Sequence, residues 1–189
     1  MAGILLPTLK KYEEYAYVLD FVPRGKSTVI RGREGPLVQA VGEERLTLLE
    51  LLAVNGAQFD IGERVGIGKE GRMKVLSVLG RMNYEELSSQ GKGELPAVIE
   101  KIVRNNEMRY VTIFNELQPI TPRLHGLELI PGIGKTYMFQ ILNERSRKPF
   151  ESFEEISKRT GLREPARLIA KRIAEEISGG SRVNLFVKK

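Results

Sequence analysis

The residues best suited to chemistry in this chain are Pro131-Gly132-Ile133-Gly134-Lys135. Pro131 has no N–H to donate and disfavours helix at Ile130, while Gly132 and Gly134 tolerate positive φ and let a second backbone approach closely. A helix starting at or just after Gly134 would present amides without an intrahelical partner, at the end where the macrodipole adds about half a positive charge. Such an end suits a phosphate oxygen. Two other readings compete. Gly134-Lys135-Thr136 matches the close of a Walker loop, G-x-x-x-x-G-K-[ST], but that pattern needs glycine where Leu129 stands, so it fails. An inert link that merely lets two helices pack stays open.

Two elements must position this turn. Leu124, Leu127, Leu129 and Ile130 precede it at helical spacing, and Ile133, Tyr137, Phe139, Ile141 and Leu142 follow it likewise, which predicts two short helices. Thr121 is the expected N-cap of the first, with Pro122 in its first turn. His125, the single histidine, is expected as a partly exposed residue of that helix. From Arg123 to Leu142 the pattern resembles the helix-hairpin-helix, a module that holds sugar-phosphate backbones through the amides of its hairpin. Met138 departs from it, standing where the family usually carries a small residue such as Ala. The resemblance also implies a monovalent cation on the carbonyls of Ile130 and Ile133; no other cofactor is expected.

The remaining composition narrows the class. With 189 residues the chain can hold one or two domains, and its 41% hydrophobic and 29% charged residues are ordinary for a globular protein. No apolar run approaches the ~20 residues of a membrane span, and Met1 to Leu9 lacks the character of a signal peptide, so a cytoplasmic location is expected. Cysteine is absent, which excludes disulfides and thiolate metal sites, and one histidine cannot build a zinc site. The net charge of +6 is unevenly placed. Residues 1–118 carry 16 basic and 16 acidic side chains, whereas residues 119–189 carry 14 and 8, so the whole excess lies with the hairpin. A phosphate-binding module would concentrate charge in this way.

Residues 1–82 read as strands: Glu14–Val22, Ser27–Arg31, Pro36–Val41, Arg45–Val54, Glu63–Gly68 and Met73–Met82, separated by glycine-rich turns. Five or six strands without an intervening long helix suggest a compact antiparallel barrel. Residues 62–67 followed by 73–78 resemble the closing strands of an OB-fold. On an OB-fold the middle strands would offer aromatic and basic side chains to nucleic acid, making Tyr15, Tyr17, Arg31, Arg33 and Arg45 candidates, the two tyrosines for base stacking. Strand alternation puts Tyr15, Tyr17, Leu19 and Phe21 on one face. It does not say which face is outside. The charge balance of the region argues for an auxiliary contact or a protein-binding role.

Residues 83–118 read as a helical spacer: a short helix over Asn83–Ser88, a flexible break at Ser89–Gly93, then either one long helix or two meeting at Asn105-Asn106. Beyond it, residues 119–189 hold an echo of the first hairpin. Ser152 opens a helix with Glu155 in capping-box spacing, Lys158 to Arg163 turns, and Glu164-Pro165 starts a last helix that stops at Ser178-Gly179-Gly180. Setting Gly161-Leu162 over Gly132-Ile133 suggests a degenerate second helix-hairpin-helix. Lys158, Arg159, Arg163 and Arg167 would supply charge where its amides are fewer. Arg182 to Val187 alternates like a short strand, and Lys188-Lys189 reads as a tail.

The fold class expected is α+β: an OB-like barrel over 1–82, a spacer over 83–118 and a tandem hairpin domain over 119–189. In this order the parts resemble an uncharacterised archaeal family of predicted RNA-binding proteins. That resemblance implies nucleic-acid binding without enzymatic activity, with RNA favoured over DNA. The leading expectation is sequence-independent binding of the phosphate backbone by Pro131, Gly132, Ile133, Gly134 and Lys135, assisted by Lys158, Arg159, Gly161, Arg163 and Arg167. The alternative is an adaptor that binds a protein of the transcription or translation apparatus. A nuclease or ligase part is least supported, since no paired carboxylates, metal cluster or nucleotide loop stands out.

Overall fold

The computed structural model describes residues 11–188. Met1 to Leu9, read above as lacking the character of a signal peptide, and Lys189 of the tail lie outside the described residues. Alternating apolar segments form five strands: β1 (Tyr15–Lys26), β2 (Glu34–Gly42), β3 (Leu48–Ala53), β4 (Arg64–Gly66) and β5 (Val75–Arg81). They make a curled antiparallel sheet in the order β4-β1-β2-β3-β5. Among the described residues β4 and β5 do not pair with each other, so the expected barrel is a half-barrel. Ser27–Arg31 is a loop rather than a strand.

Both faces of the sheet are buried. One carries Ala16, Val18, Val38, Ala40, Leu51 and Val65 into a small cluster inside the curl. The other carries Tyr17, Leu19, Val41 and Leu48 into a larger cluster shared with the helices. Phe21 was expected beside Tyr17 and Leu19 but packs into the inner cluster. The cause is a β-bulge: the β1–β2 register shifts between Val18 and Asp20, and one extra residue reverses the alternation beyond it.

The helices are α1 (Ser89–Asn105), α2 (Glu107–Glu116), α3 (Lys135–Arg147), α4 (Phe153–Thr160) and α5 (Pro165–Ile177). The expected break at Ser89–Gly93 is the first turn of α1, and the helix expected over Asn83–Ser88 shrinks to a 3₁₀ turn, Tyr84–Glu86. Ser88 caps α1, its Oγ accepting from Gly91 N–H at 2.9 Å while donating to Asp20 at 2.6 Å. Gly91 is buried, and a Cβ there would stand 2.8 Å from Gln39 Oε1. Its glycine therefore serves close packing of the helix start on β2 rather than flexibility. α1 and α2 do meet at Asn105-Asn106, although the Asn106 side chain donates back to the Ile102 carbonyl at 2.8 Å instead of capping α2.

Before α3 the expected helix over Leu124–Ile130 is absent. Its place is taken by a two-stranded ribbon, β6 (Pro119–Thr121) with β7 (Leu124–His125), and a 3₁₀ turn over Gly126–Leu129. Thr121 and Pro122 thus open no helix. Gly126 weakens an α-helix here, and the three-residue spacing of Leu127 and Ile130 matches the 3₁₀ period. Arg182–Val187 forms no strand either. The buried Glu176 carboxylate accepts the N–H groups of Leu185, Phe186 and Val187 at 2.6, 2.9 and 3.0 Å, holding this segment on α5 by side chain instead of by a sheet ladder. Arg172 pairs with Glu176 at 3.0 Å and also donates to Ser181 and the Val183 carbonyl, so the buried charges satisfy one another. One apolar cluster takes side chains from the sheet, from α1 and α2, and from α3 to α5, fixing them as a unit.

Candidate nucleic-acid interface

The first hairpin is built from the ribbon upward. His125 is buried, not partly exposed as expected, and its Nδ1 accepts the Leu127 N–H at 3.1 Å. Burial, and then the nearby Arg145 charge, push its pKa below the ordinary imidazole value. Glu128 accepts the His125 N–H at 2.9 Å, closing a capping box across the 3₁₀ turn. That bond, with Lys135 Nζ at 2.9 Å, holds the Glu128 carboxyl below the usual carboxylate range. Arg145 in turn donates to the carbonyls of Phe114 and Leu117 at 3.1 and 2.9 Å, satisfying the C-terminal end of α2 and fixing α3 against it.

On this base the turn takes its shape. Ile133 N–H donates to the Ile130 carbonyl at 3.1 Å, and Gly132 has φ of 87°. Ile130 and Ile133 are buried and anchor the loop, while Pro131 is partly exposed and Gly132 and Gly134 are exposed. Gly134 is the N-cap of α3, without a side chain to cap it, and the first turn of α3 holds no acidic residue. Among the described residues, no acceptor takes the N–H groups of Gly134, Lys135, Thr136 and Tyr137. A row of open amides at the positive end of a helix can bind an oxyanion. Lys135 is 60% exposed beside it, with part of its charge answered by Glu128 and its Nζ also on the Arg123 carbonyl at 3.2 Å. The carbonyls of Ile130 and Ile133 offer two neutral oxygens, one already accepting, which alone do not complete a cation shell.

The α4–α5 turn has a different economy. Gly161 adopts φ of 76° as the left-handed cap of α4, and its N–H is spent on the Ser157 carbonyl at 2.9 Å. At the start of α5 Pro165 has no N–H, and the side chain of Glu164 places a carboxylate at the helix end. Arg159 is only 19% exposed: it binds the Glu144 and Glu155 carboxylates at 3.2 and 2.9 Å and the Lys148 carbonyl at 2.7 Å, and lies 4.4 Å over the Phe150 ring. It is a brace between α3 and α4. Lys158 pairs with Glu154 at 2.6 Å on the exposed side of α4.

Arg163 and Arg167 are exposed, and α5 brings Arg167 toward the first hairpin. A Cβ on Gly132 would meet Leu168 Cδ2 at 3.2 Å, so α5 abuts the turn at Leu168. Arg167 adjoins Leu168 in the chain, and Lys171 follows one helical turn later on the same surface. Arg167 keeps a loose contact with Glu164 at 3.5 Å. Among the described residues Arg163 and Lys171 have no acidic partner.

The two tyrosines part company. Tyr17 has no exposed surface; its ring lies in the shared core and its hydroxyl donates to Glu43 at 3.2 Å and accepts from Asn105 at 3.1 Å. No face is left for a base, and the expected stacking role is withdrawn. Tyr15 lies at the rim of a polar cleft of about 380 Å³, with the Arg64 guanidinium 3.5 Å over its ring. Arg64 forks onto the buried Glu43 at 3.0 and 2.9 Å. Burial alone would raise the Glu43 carboxyl, but the bonds and charge of Arg64, with Asn106 and Tyr17, outweigh it and hold the pKa below the usual range. Of the other basic candidates, Arg45 donates to the Lys11 carbonyl at 3.2 Å, and Arg31 and Arg33 project from the loop between β1 and β2.

The model of a protein family described as "Protein of unknown function (DUF655)" matches residues 12–188. The chain belongs to this family. It is 42% identical over 181 residues to the uncharacterized protein MJ0038 of Methanocaldococcus jannaschii, covering 95% of this chain and 82% of that one. It is also similar to the crystal structure of Af1531 from Archaeoglobus fulgidus, a DUF655 protein, with a TM-score of 0.82 and 45% identity over 93% of this chain and all of that one. Among the described residues no helix is long and apolar enough to cross a membrane, and no three His, Cys, Asp or Glu side chains gather as a metal site.

In this DUF655 chain two residues near the hairpin escaped the sequence reading. Lys171 follows Arg163 and Arg167 at four-residue spacing, a signal that was available. Phe139 was placed in the apolar stripe of α3 but is 62% exposed, one turn beyond Lys135. Its outward position follows from Met138 and Ile141 taking the buried side of the helix, which the mixed spacing of five apolar residues did not settle.

Proposed function

We propose that this protein binds the sugar-phosphate backbone of nucleic acid, without regard to base sequence, through the Gly132–Tyr137 hairpin and the basic surface of α5. The observation that carries this reading is the uncapped start of α3: four amides without acceptors, no first-turn carboxylate, and Arg167 and Lys171 beside the turn. The hairpin is of the helix-hairpin-helix kind, with a 3₁₀ turn standing where the first helix would be. The strand order β4-β1-β2-β3-β5 supports an OB-like origin for the half-barrel. RNA is the ligand favoured, on the resemblance to archaeal predicted RNA-binding proteins. Bases would remain outward and unread, because amide and guanidinium donors on phosphates carry no sequence information.

Gly134 gives a direct test. Its φ of −91° suits any residue, and a Cβ there meets nothing within 4 Å. In the variant Gly134→Asp the new carboxylate would cap α3 itself, leaving stability unchanged or raised by a few tenths of a kcal/mol, about the usual difference between these caps. Affinity for a mixed-sequence structured RNA, measured by fluorescence anisotropy, should fall at least about tenfold, since one carboxylate would both occupy and repel. Wild-type affinity should also drop steeply with salt. A folded Gly134→Asp protein with unchanged affinity would refute the hairpin assignment, and tight capture of a protein partner with salt-insensitive, weak RNA binding would favour an adaptor.

A further inference from the structure

Residues 1–118 are neutral in sum, yet residues 23–34 carry four cations, Arg24, Lys26, Arg31 and Arg33, against the single carboxylate of Glu34. All are exposed on the finger formed by the end of β1, the loop 27–33 and the start of β2. Glu34 answers Lys26 at 3.8 Å, and among the described residues Arg24, Arg31 and Arg33 have no acidic partner.

The loop is held from below. Glu50 on β3 is 2% exposed, and its carboxylate accepts from Ser27 Oγ, from Thr28 N–H at 3.0 Å and from Thr28 Oγ1 at 3.2 Å. Ser27 Oγ then accepts the N–H groups of Val29 and Ile30 at 3.1 and 2.8 Å. Val29 packs on the core against Gly80, where a Cβ would stand 2.6 Å from Val29 Cγ1. Ser27 N–H donates to the Arg33 carbonyl at 2.8 Å, and Gly32 turns the chain with φ of 77°. A buried carboxylate spent on fixing an exposed basic loop is costly unless its bonds are satisfied, and here they are. The result is a loop whose backbone is ordered before any partner arrives, with its guanidinium groups aimed at solvent and Ile30 exposed between them.

We propose that this finger is a second phosphate-binding site, engaging the same nucleic acid as the hairpin. The inference rests on the nucleic-acid reading above and adds where else the ligand must reach. The shared apolar core fixes the sheet to α3 and α5, so the two basic surfaces keep a constant separation. An extended polyanion with regularly spaced phosphates would have to span that separation. Pre-ordering of the loop reduces the conformational entropy lost on binding.

The test compares wild type, Arg31→Ala/Arg33→Ala and Glu50→Gln for a mixed-sequence single-stranded RNA over a range of salt. Removing the two arginines should weaken binding about tenfold at moderate salt and lower the slope of log K against log salt by about 1.4, at roughly 0.7 per cation. Both residues are exposed, so the fold should be untouched. Glu50→Gln keeps every cation but loosens the loop; it should weaken binding about threefold with the salt slope unchanged. Wild-type affinity and slope in the double variant, with Gly134→Asp still defective, would overturn the finger and leave the hairpin standing. Loss of an acidic protein partner but not of RNA would overturn it too, and a wild type that binds no RNA would defeat both readings.

Discussion

The turns at Pro131–Lys135 and Gly161–Pro165 begin from similar sequence, a glycine followed by a buried aliphatic residue and then a helix. They end with opposite inventories of hydrogen-bond donors. At the first, Gly134 caps without a side chain and the early amides of α3 find no acceptor among the described residues. At the second, Gly161 N–H closes α4, Pro165 has no N–H and Glu164 brings its own carboxylate to the helix end. The first turn leaves four successive donors open; at the second, Gly161 and Leu162 spend theirs on α4 and Pro165 has none, so fewer remain at the start of α5. The lesson is that a helix start is an anion site only when neither the cap nor the first turn supplies the anion.

Four variants would break or sharpen this contrast. The largest effect is expected at Arg159, the brace of the second turn. Arg159→Ala should destabilise the protein by about 2–3 kcal/mol in denaturant unfolding, because it removes at once the guanidinium bonds to the Glu144 and Glu155 carboxylates and to the Glu144 and Lys148 carbonyls, together with the packing on Phe150. Nucleic-acid affinity of the folded fraction should not change; if it fell with the salt slope, Arg159 would belong to the interface.

Next come the two glycines with positive φ. Gly132→Ala meets Leu168 at 3.2 Å as well as the left-handed penalty, and should cost about 2 kcal/mol and weaken binding. Gly161→Ala, with nothing within 4 Å, should cost about 1 kcal/mol and leave binding alone. Equal effects on affinity would erase the distinction between the turns.

The smallest effect is a pH dependence confined to the first turn. His125 is held below its ordinary pKa, so the unfolded imidazole takes up a proton from about pH 6.5 downward before the folded one does. Protons bound preferentially to the unfolded state lower stability, so this contribution is complete above about pH 6.5 and is lost as pH falls toward the folded value. A melting-temperature series from about pH 7.5 to pH 5.5 should decline more for wild type than for His125→Asn, which can still accept the Leu127 N–H. Parallel declines would remove His125 from the support of the hairpin.

Much of this was legible along the chain. The strands were visible in apolar alternation, α4 and α5 in Ser152, Pro165 and the terminal glycines, and the start of α3 in Gly134. Arg31 and Arg33 stood out as candidates, but their grouping with Arg24 and Lys26 on one ordered finger did not, because a regional sum of zero averages a cluster of four cations with distant carboxylates. Nor was the role of Arg159, since a guanidinium beside a turn looks the same whether it faces solvent or the carbonyls of a neighbouring helix. Tyr15 and Tyr17 share a strand face in sequence; packing of α1 buried one and left the other at a cleft.

By itself the sequence determined the local conformations, wherever proline, glycine and caps restrict φ and the supply of N–H groups within a few residues. It thereby determined the glycine turn at Pro131–Lys135. Tertiary structure decided which donors stay open, which cations stay free and which aromatic faces stay exposed. Those outcomes depend on partners far away in the chain, such as Glu50 for Ser27 and Leu168 for Gly132, that only the folded core brings into contact.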